Sequence, residues 1–170
     1  MKKDTNILHL LEKDHRKIES LCRRVKAEAK KSTRAATATF RELADLVDAH
    51  AHAEENALYD RLKKGPSQTK ALAFEGYEEH HVADTLIKEL KELHASKDRW
   101  MAKFEVLKEA LEHHIEEEEE EMFPKARKFL TTSELNLAGG EFLDAKNGDI
   151  PMPLGIDMGI NPITGPGVIL

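Results

Sequence analysis

Residues 48–62 read DAHAHAEENALYDRL, and residues 112–126 read EHHIEEEEEEMFPKA. At an offset of 64 they place His50 on His114, Glu54 on Glu118, Glu55 on Glu119, Leu58 on Met122 and Tyr59 on Phe123. At an offset of 65, EKDHRKIESLC (12–22) falls on YEEHHVADTLI (77–87), which sets His15 on His80, Ile18 on Ala83 and Leu21 on Leu86. The chain is therefore a loose internal repeat in which polar positions recur together with apolar ones. Phase decides what that means. His50 stands three residues after Val47 and Glu54 one turn further; His114 stands three after Leu111, with Glu118 and Met122 on successive turns. Both His-x-x-x-Glu pairs ride an apolar helical stripe, as do His15, between Leu11 and Ile18, and His80, three before Ala83 and seven before Ile87.

Breaks at Lys31-Ser32-Thr33, Gly65-Pro66-Ser67 and Ala95-Ser96-Lys97-Asp98 divide the first 130 residues into segments of about 5–30, 33–63, 67–95 and 97–128. Ser32 and Ser96 are placed to cap the second and fourth segments, and Pro66 suits a first helical position. Each segment carries apolar residues at helical spacing: Ile7, Leu11, Ile18, Cys22 and Val25; Phe40, Leu43, Val47 and Leu58; Phe74, Ala83, Leu86, Ile87, Leu90 and Leu93; Phe104, Leu107, Leu111 and Met122. Long segments with short connections predict an all-α, up-down antiparallel four-helix bundle over 1–130. A short extra helix near 133–146, capped by Ser133, comes next within a connection at 131–147. Residues 148–170 hold five of the nine Gly and four of the six Pro and only two charges. They predict an extended apolar tail, suited to fold back, to dock on another subunit or to bind a partner or assembly.

Depth agrees with phase. In an up-down bundle, His15, His50, His80 and His114 all fall roughly 15–20 Å from the same end, at ~1.5 Å rise per residue. Four imidazoles and two carboxylates in one buried layer need compensation, because an isolated buried carboxylate is costly. Imidazole with carboxylate and no thiolate suits iron, manganese or zinc. A glutamate on each of two helices can bridge two cations roughly 3.5–4 Å apart. His9, His52, His94 and His113 are off the stripe and read as solvent-facing. Of the run Glu116–Glu121 only Glu118 is in phase, so the rest reads as a solvated face. Cys22 lies in the apolar phase and reads as inert.

Other classes are excluded by composition. A formal charge of −6 argues against sequence-independent nucleic-acid binding. No apolar run approaches the roughly 20 residues of a membrane span, and charges interrupt the N-terminal apolar stretch, so no secretory signal is expected. A single cysteine rules out an internal disulfide or a Cys-rich metal site, and a reducing cytoplasm is the expected location.

The residues DH at 14–15, H-x-x-x-EE at 50–55, EEHH at 78–81 and HHIEEEEEEMFP at 113–124 resemble the hemerythrin-like HHE cation-binding proteins, over about 5–130. The resemblance implies a non-haem di-iron centre, oxo- or hydroxo-bridged, that binds or reacts with dioxygen, hydrogen peroxide or a related small molecule. An iron- or oxygen-responsive binding module is the alternative it implies, with 148–170 as the segment that meets a protein partner or a second copy. Carried over, the ligands are His15, His50, Glu54, His80, His114 and Glu118. The oxygen carriers of that family have a further His one turn before the one matching His80; here that position is Gly76. They also have an Asp five after the residue matching His114, where this chain has Glu119. His81, Tyr59 or Tyr77 would supply the missing donor, and a site with more open positions favours chemistry over oxygen storage.

Overall fold

The computed structural model describes residues 5–93 and 98–148. They form five helices, with no strand among the described residues. Helix α1 is Ile7–Ala29, started by Asn6, whose side chain accepts from the Leu8 amide at 3.0 Å. Helix α2 runs over 33–62 as Thr33–Glu54, a π-helical turn Glu55–Tyr59 and a last α-helical turn Asp60–Leu62. Ser32 caps it through the Ala35 amide at 3.2 Å. Helix α3 is Ser67–Glu92; Pro66 precedes its first residue and is not itself helical. Helix α4 runs over 98–129 as Asp98–Glu117, a second π-helical turn Glu118–Met122 and Phe123–Phe129. Helix α5 is Thr132–Lys146. Its cap is Thr131 and not Ser133: Thr131 and Glu134 exchange bonds in a capping box, amide to Oγ1 at 3.3 Å and amide to Oε2 at 2.7 Å. Gly148, just after α5, takes a left-handed φ of +77°. Ser96, His94 and residues 149–170 lie outside the described residues, so the expected cap and the expected tail do too.

Helix α1 packs along α2, and α3 along α4, as antiparallel neighbours; α5 lies across α1 and α2. Arg61 clamps α5 through both guanidinium nitrogens to Glu141, at 2.7 and 2.8 Å. Gly139 lets α5 cross the start of α1 at backbone distance: a Cβ there would lie 1.7 Å from the Thr5 carbonyl oxygen.

The apolar core is divided into two parts. One, around Phe40, Trp100 and Phe104, takes in Ile18, Val47, Ala83 and Leu111. Trp100 closes its end, its indole N–H donating to the Leu90 carbonyl at 3.0 Å. The other, around Leu11, Leu58, Tyr59, Phe123 and Phe142, holds Ile7, Leu8 and Met122. His15, His50, His80 and His114 are all buried between them. One expected core residue departs: Phe74 is 51% exposed. The buried stripe of α3 runs through Thr69, Ala73, Gly76, His80 and Ala83 instead, and at Gly76 the lack of a side chain lets α3 approach Tyr59 of α2 closely.

Candidate metal centre

The two π-helical turns place the aromatic rings of the site. A regular helix advances about 100° per residue, so a residue five beyond a buried glutamate would point well away from it. One inserted residue per turn removes about that rotation. Tyr59 and Phe123, each five after Glu54 and Glu118, are thus brought back over the buried layer. The Tyr59 ring stacks on His80 (5.4 Å between centroids, 14°), and the Phe123 ring stacks on His15 (5.9 Å, 13°). The second turn also precedes Pro124, so α4 continues through a proline to Phe129.

Six side chains expected from the sequence converge. His15, His50 and Glu118 present donor atoms within 4.8 Å of one another, as do Glu54, His80 and His114. The carboxylates connect the two groups. Glu54 Oε2 lies 3.4 Å from His50 Nε2 and 3.7 Å from His80 Nε2; Glu118 Oε2 lies 3.3 Å from His15 Nε2 and 3.5 Å from His114 Nε2. His80 Nε2 and His114 Nε2 face each other at 3.1 Å. His81 is exposed and outside both groups. Tyr77 points to Lys63 and Asp60, at 3.1 and 3.4 Å, and is also outside. Tyr59 is buried at the edge of the layer, donating its hydroxyl to Glu118 Oε1 at 2.7 Å. Gly76, where the oxygen carriers have a further His, is filled by that phenol: a Cβ at 76 would lie 2.4 Å from the Tyr59 hydroxyl oxygen.

Four carboxylates outside the layer had no role legible in the sequence. Asp14 faces His50 Nδ1 at 3.3 Å, Glu119 faces His15 Nδ1 at 2.8 Å, Glu55 faces His80 Nδ1 at 2.8 Å and Glu79 faces His114 Nδ1 at 2.7 Å. Each is placed to accept a proton from Nδ1 and leaves Nε2 facing inward, the arrangement that orients metal-bound imidazole. They keep to the internal repeat: Asp14 matches Glu79 and Glu55 matches Glu119. The signal was the recurring dipeptides Asp14-His15, Glu79-His80, Glu54-Glu55 and Glu118-Glu119.

The polar interior is left unpaired. His15 Nε2, His50 Nε2, both oxygens of Glu54 and Glu118 Oε2 are buried without a hydrogen-bond partner. Buried polar atoms are nearly always bonded, so five converging orphans are an exception that a bound cation would remove. Burial and the neighbouring Glu118 charge hold the Glu54 carboxyl well above the usual range. Burial acts the same way on Glu118, but His114, His15 and the Tyr59 hydroxyl outweigh it and keep that carboxyl ionised. Burial pushes His50 down to about 4 and lowers His80. Burial also acts to lower His114, but the Glu118 and Glu79 carboxylates raise it.

A cavity of about 20 Å³ adjoins the layer, with room for one water-sized molecule. Its walls are Ile18, Val47, Ala83, Leu111 and Ile115, and His50, His80 and His114 stand at its polar side.

No helix among the described residues is long and apolar enough to cross a membrane. No curated protein and no solved structure matches the chain. The hemerythrin HHE cation binding domain matches residues 6–126, a span that takes in all six converging side chains and the four carboxylates behind them. The chain belongs to the hemerythrin HHE cation-binding family.

Proposed function

We propose that the chain holds two iron ions between the His15–His50–Glu118 and Glu54–His80–His114 groups and acts there on dioxygen or hydrogen peroxide. The observation that carries this reading is the set of five buried, converging, unpartnered donor atoms, with every imidazole fixed from behind by a carboxylate. When bound, the iron pair would supply electrons to a small oxidant. The residues do the rest. Glu54 and Glu118 each face imidazoles of both groups and so are placed to span the two cations. Tyr59 holds Glu118 in position through its hydroxyl. Ile18, Val47 and Leu111 wall the water-sized chamber beside the layer and keep bulk water from it.

The test is metal analysis with an optical spectrum before and after dithionite. About two iron per chain and an absorption bleached by reduction are expected, and both should be lost in His50→Ala and Glu118→Ala. Full iron retention by those variants would refute the assignment.

One observation favours a second reading, an iron- or oxygen-responsive binding module. Lys146, the last residue of α5, pairs with Asp14, and Phe142 stands edge-on to His50 at 6.2 Å. The helix that leads into 148–170 thus rests on the site. Deleting 149–170 would decide: intact peroxide turnover with loss of a protein association favours the module.

A further inference from the structure

The repeat makes the two donor groups counterparts, yet three contacts distinguish them, and all three fall on one side. Glu118 accepts from Tyr59 at 2.7 Å, whereas both oxygens of Glu54 lack a hydrogen-bond partner. The residue matching Tyr59 is Phe123, which has no hydroxyl. Glu119, behind His15, also pairs with Arg16, whereas Glu55, behind His80, pairs with no Lys or Arg among the described residues. Asp14, behind His50, pairs with Lys146, whereas Glu79, behind His114, pairs with no Lys or Arg among the described residues. Arg16 matches His81 in the other half, and Lys146 comes from α5, which lies outside the repeat.

The consequence is electronic. A carboxylate behind an imidazole raises the basicity of the inward nitrogen by drawing on the Nδ1 proton. When a cation already shares that carboxylate, the pull is weaker. A hydroxyl bonded to Glu118 likewise withdraws charge from its free oxygen. All three donors of His15–His50–Glu118 are thus attenuated, and all three of Glu54–His80–His114 are not.

We infer that the two cation positions are unequal: the Glu54–His80–His114 position fills first and binds more tightly, and the His15–His50–Glu118 position fills second and empties first. This rests on the proposed two-cation site. The outer charges, and not the count of imidazoles, set the order, since each group has two.

Titration of the metal-free protein with cobalt(II), monitored by visible absorption and by equilibrium dialysis, tests it. Two equivalents should bind in steps at least about tenfold apart in affinity. Lys146→Met, which keeps the aliphatic stem, should tighten the second step up to about tenfold and leave the first in place. Glu79→Gln should weaken the first step by about tenfold or more, within the range seen when such outer partners are altered. Two equivalents bound at one affinity, or a Lys146→Met variant that moves both steps alike, would overturn the inference and leave the two-cation reading standing. A protein that binds no cobalt would overturn both.

Discussion

Replacing Glu54 by Leu should stabilise the metal-free protein, the opposite of what removing a core hydrogen-bonding residue does. Glu54 is 0% exposed, and neither oxygen has a hydrogen-bond partner. A buried polar group left unpaired costs ~1–3 kcal/mol. Leucine fills similar space without that cost, so a gain of about 2 kcal/mol is expected. For a chain of this size that is roughly 4–8 °C in Tm. The pH dependence has a definite sign. Burial and Glu118 raise the folded-state pKa of Glu54 above its ordinary 4.5. Its contribution to stability is therefore fully present below that value and is lost as pH rises towards the folded-state pKa, because the unfolded chain releases a proton the folded chain retains. The advantage of Glu54→Leu should grow as pH rises above 4.5. Metal reverses the ranking. A cation that binds only the folded state at a thousandfold excess over its Kd adds about 4 kcal/mol. Wild type should gain that, and the variant should gain much less. Calorimetric melts of both proteins, with chelator and with ferrous iron under argon, give all four numbers. A metal-free Glu54→Leu less stable than metal-free wild type would show that Glu54 is a structural residue and would refute the reasoning.

Adjacent glycines in α5 should respond in opposite directions. Gly139→Ala puts a methyl against the Thr5 carbonyl and should cost about 1–3 kcal/mol in urea unfolding, whereas a Cβ on Gly140 meets nothing within 4 Å and Gly140→Ala should gain ~0.5–1 kcal/mol. Tyr59→Phe keeps the ring on His80 but leaves Glu118 Oε1 buried without its donor, and should destabilise the metal-free protein by ~1–3 kcal/mol in the same assay. Gly76→His should fold poorly alone and recover when combined with Tyr59→Ala, because the two side chains claim one space; circular dichroism melts of the single and double variants check this. Cys22 is 1% exposed and burial pushes its thiol up to about 12, so at pH 8 a thiol-disulfide reagent should label it only at the rate of unfolding.

The inner residues were legible because burial and periodicity are the same fact seen twice. Four histidines and two glutamates fell on apolar stripes, and only a polar layer inside a bundle satisfies both the pattern and the cost of burial. The outer carboxylates were not legible by that route. Asp14, Glu55, Glu79 and Glu119 each stand one position from a buried donor, about 100° round the helix, where an acidic residue reads as solvated. Glu119 shows the limit well: within a run of six glutamates nothing in phase separates it from Glu120, yet its Oε1 is 2.8 Å from His15. What separates them is long-range, since Glu119 lies 104 positions along the chain from its partner. The π-helical turns escaped for a different reason. Adjacent buried pairs such as Leu58-Tyr59 and Met122-Phe123 also occur in regular helix here, at Ile7-Leu8 and Leu21-Cys22, so in the sequence they carry no mark of an inserted residue. Phe74 failed in the opposite sense, being apolar but in phase with solvent, while Gly76 and Ala73 kept the helix contact.

The divided core explains why such a layer is tolerated. Two apolar clusters, one above and one below the imidazoles, each link several helices, so the fold does not depend on the polar layer for cohesion. The layer is then free to be unfavourable in isolation: two buried carboxyls shifted in opposite directions and two imidazole nitrogens 3.1 Å apart. Helices held from both ends cannot relax to bury the orphaned donors against one another, and the carboxylates behind the imidazoles prevent the rings from turning away. Rigidity imposed from outside the layer keeps the donors converged before any cation arrives. Binding then requires little rearrangement of the backbone. A fold that built this layer from a single continuous core would be expected to collapse around it when metal-free. Comparable backbone hydrogen-exchange protection of α1–α4 with and without metal, together with a Tm that differs between the two, is the outcome this division of labour requires.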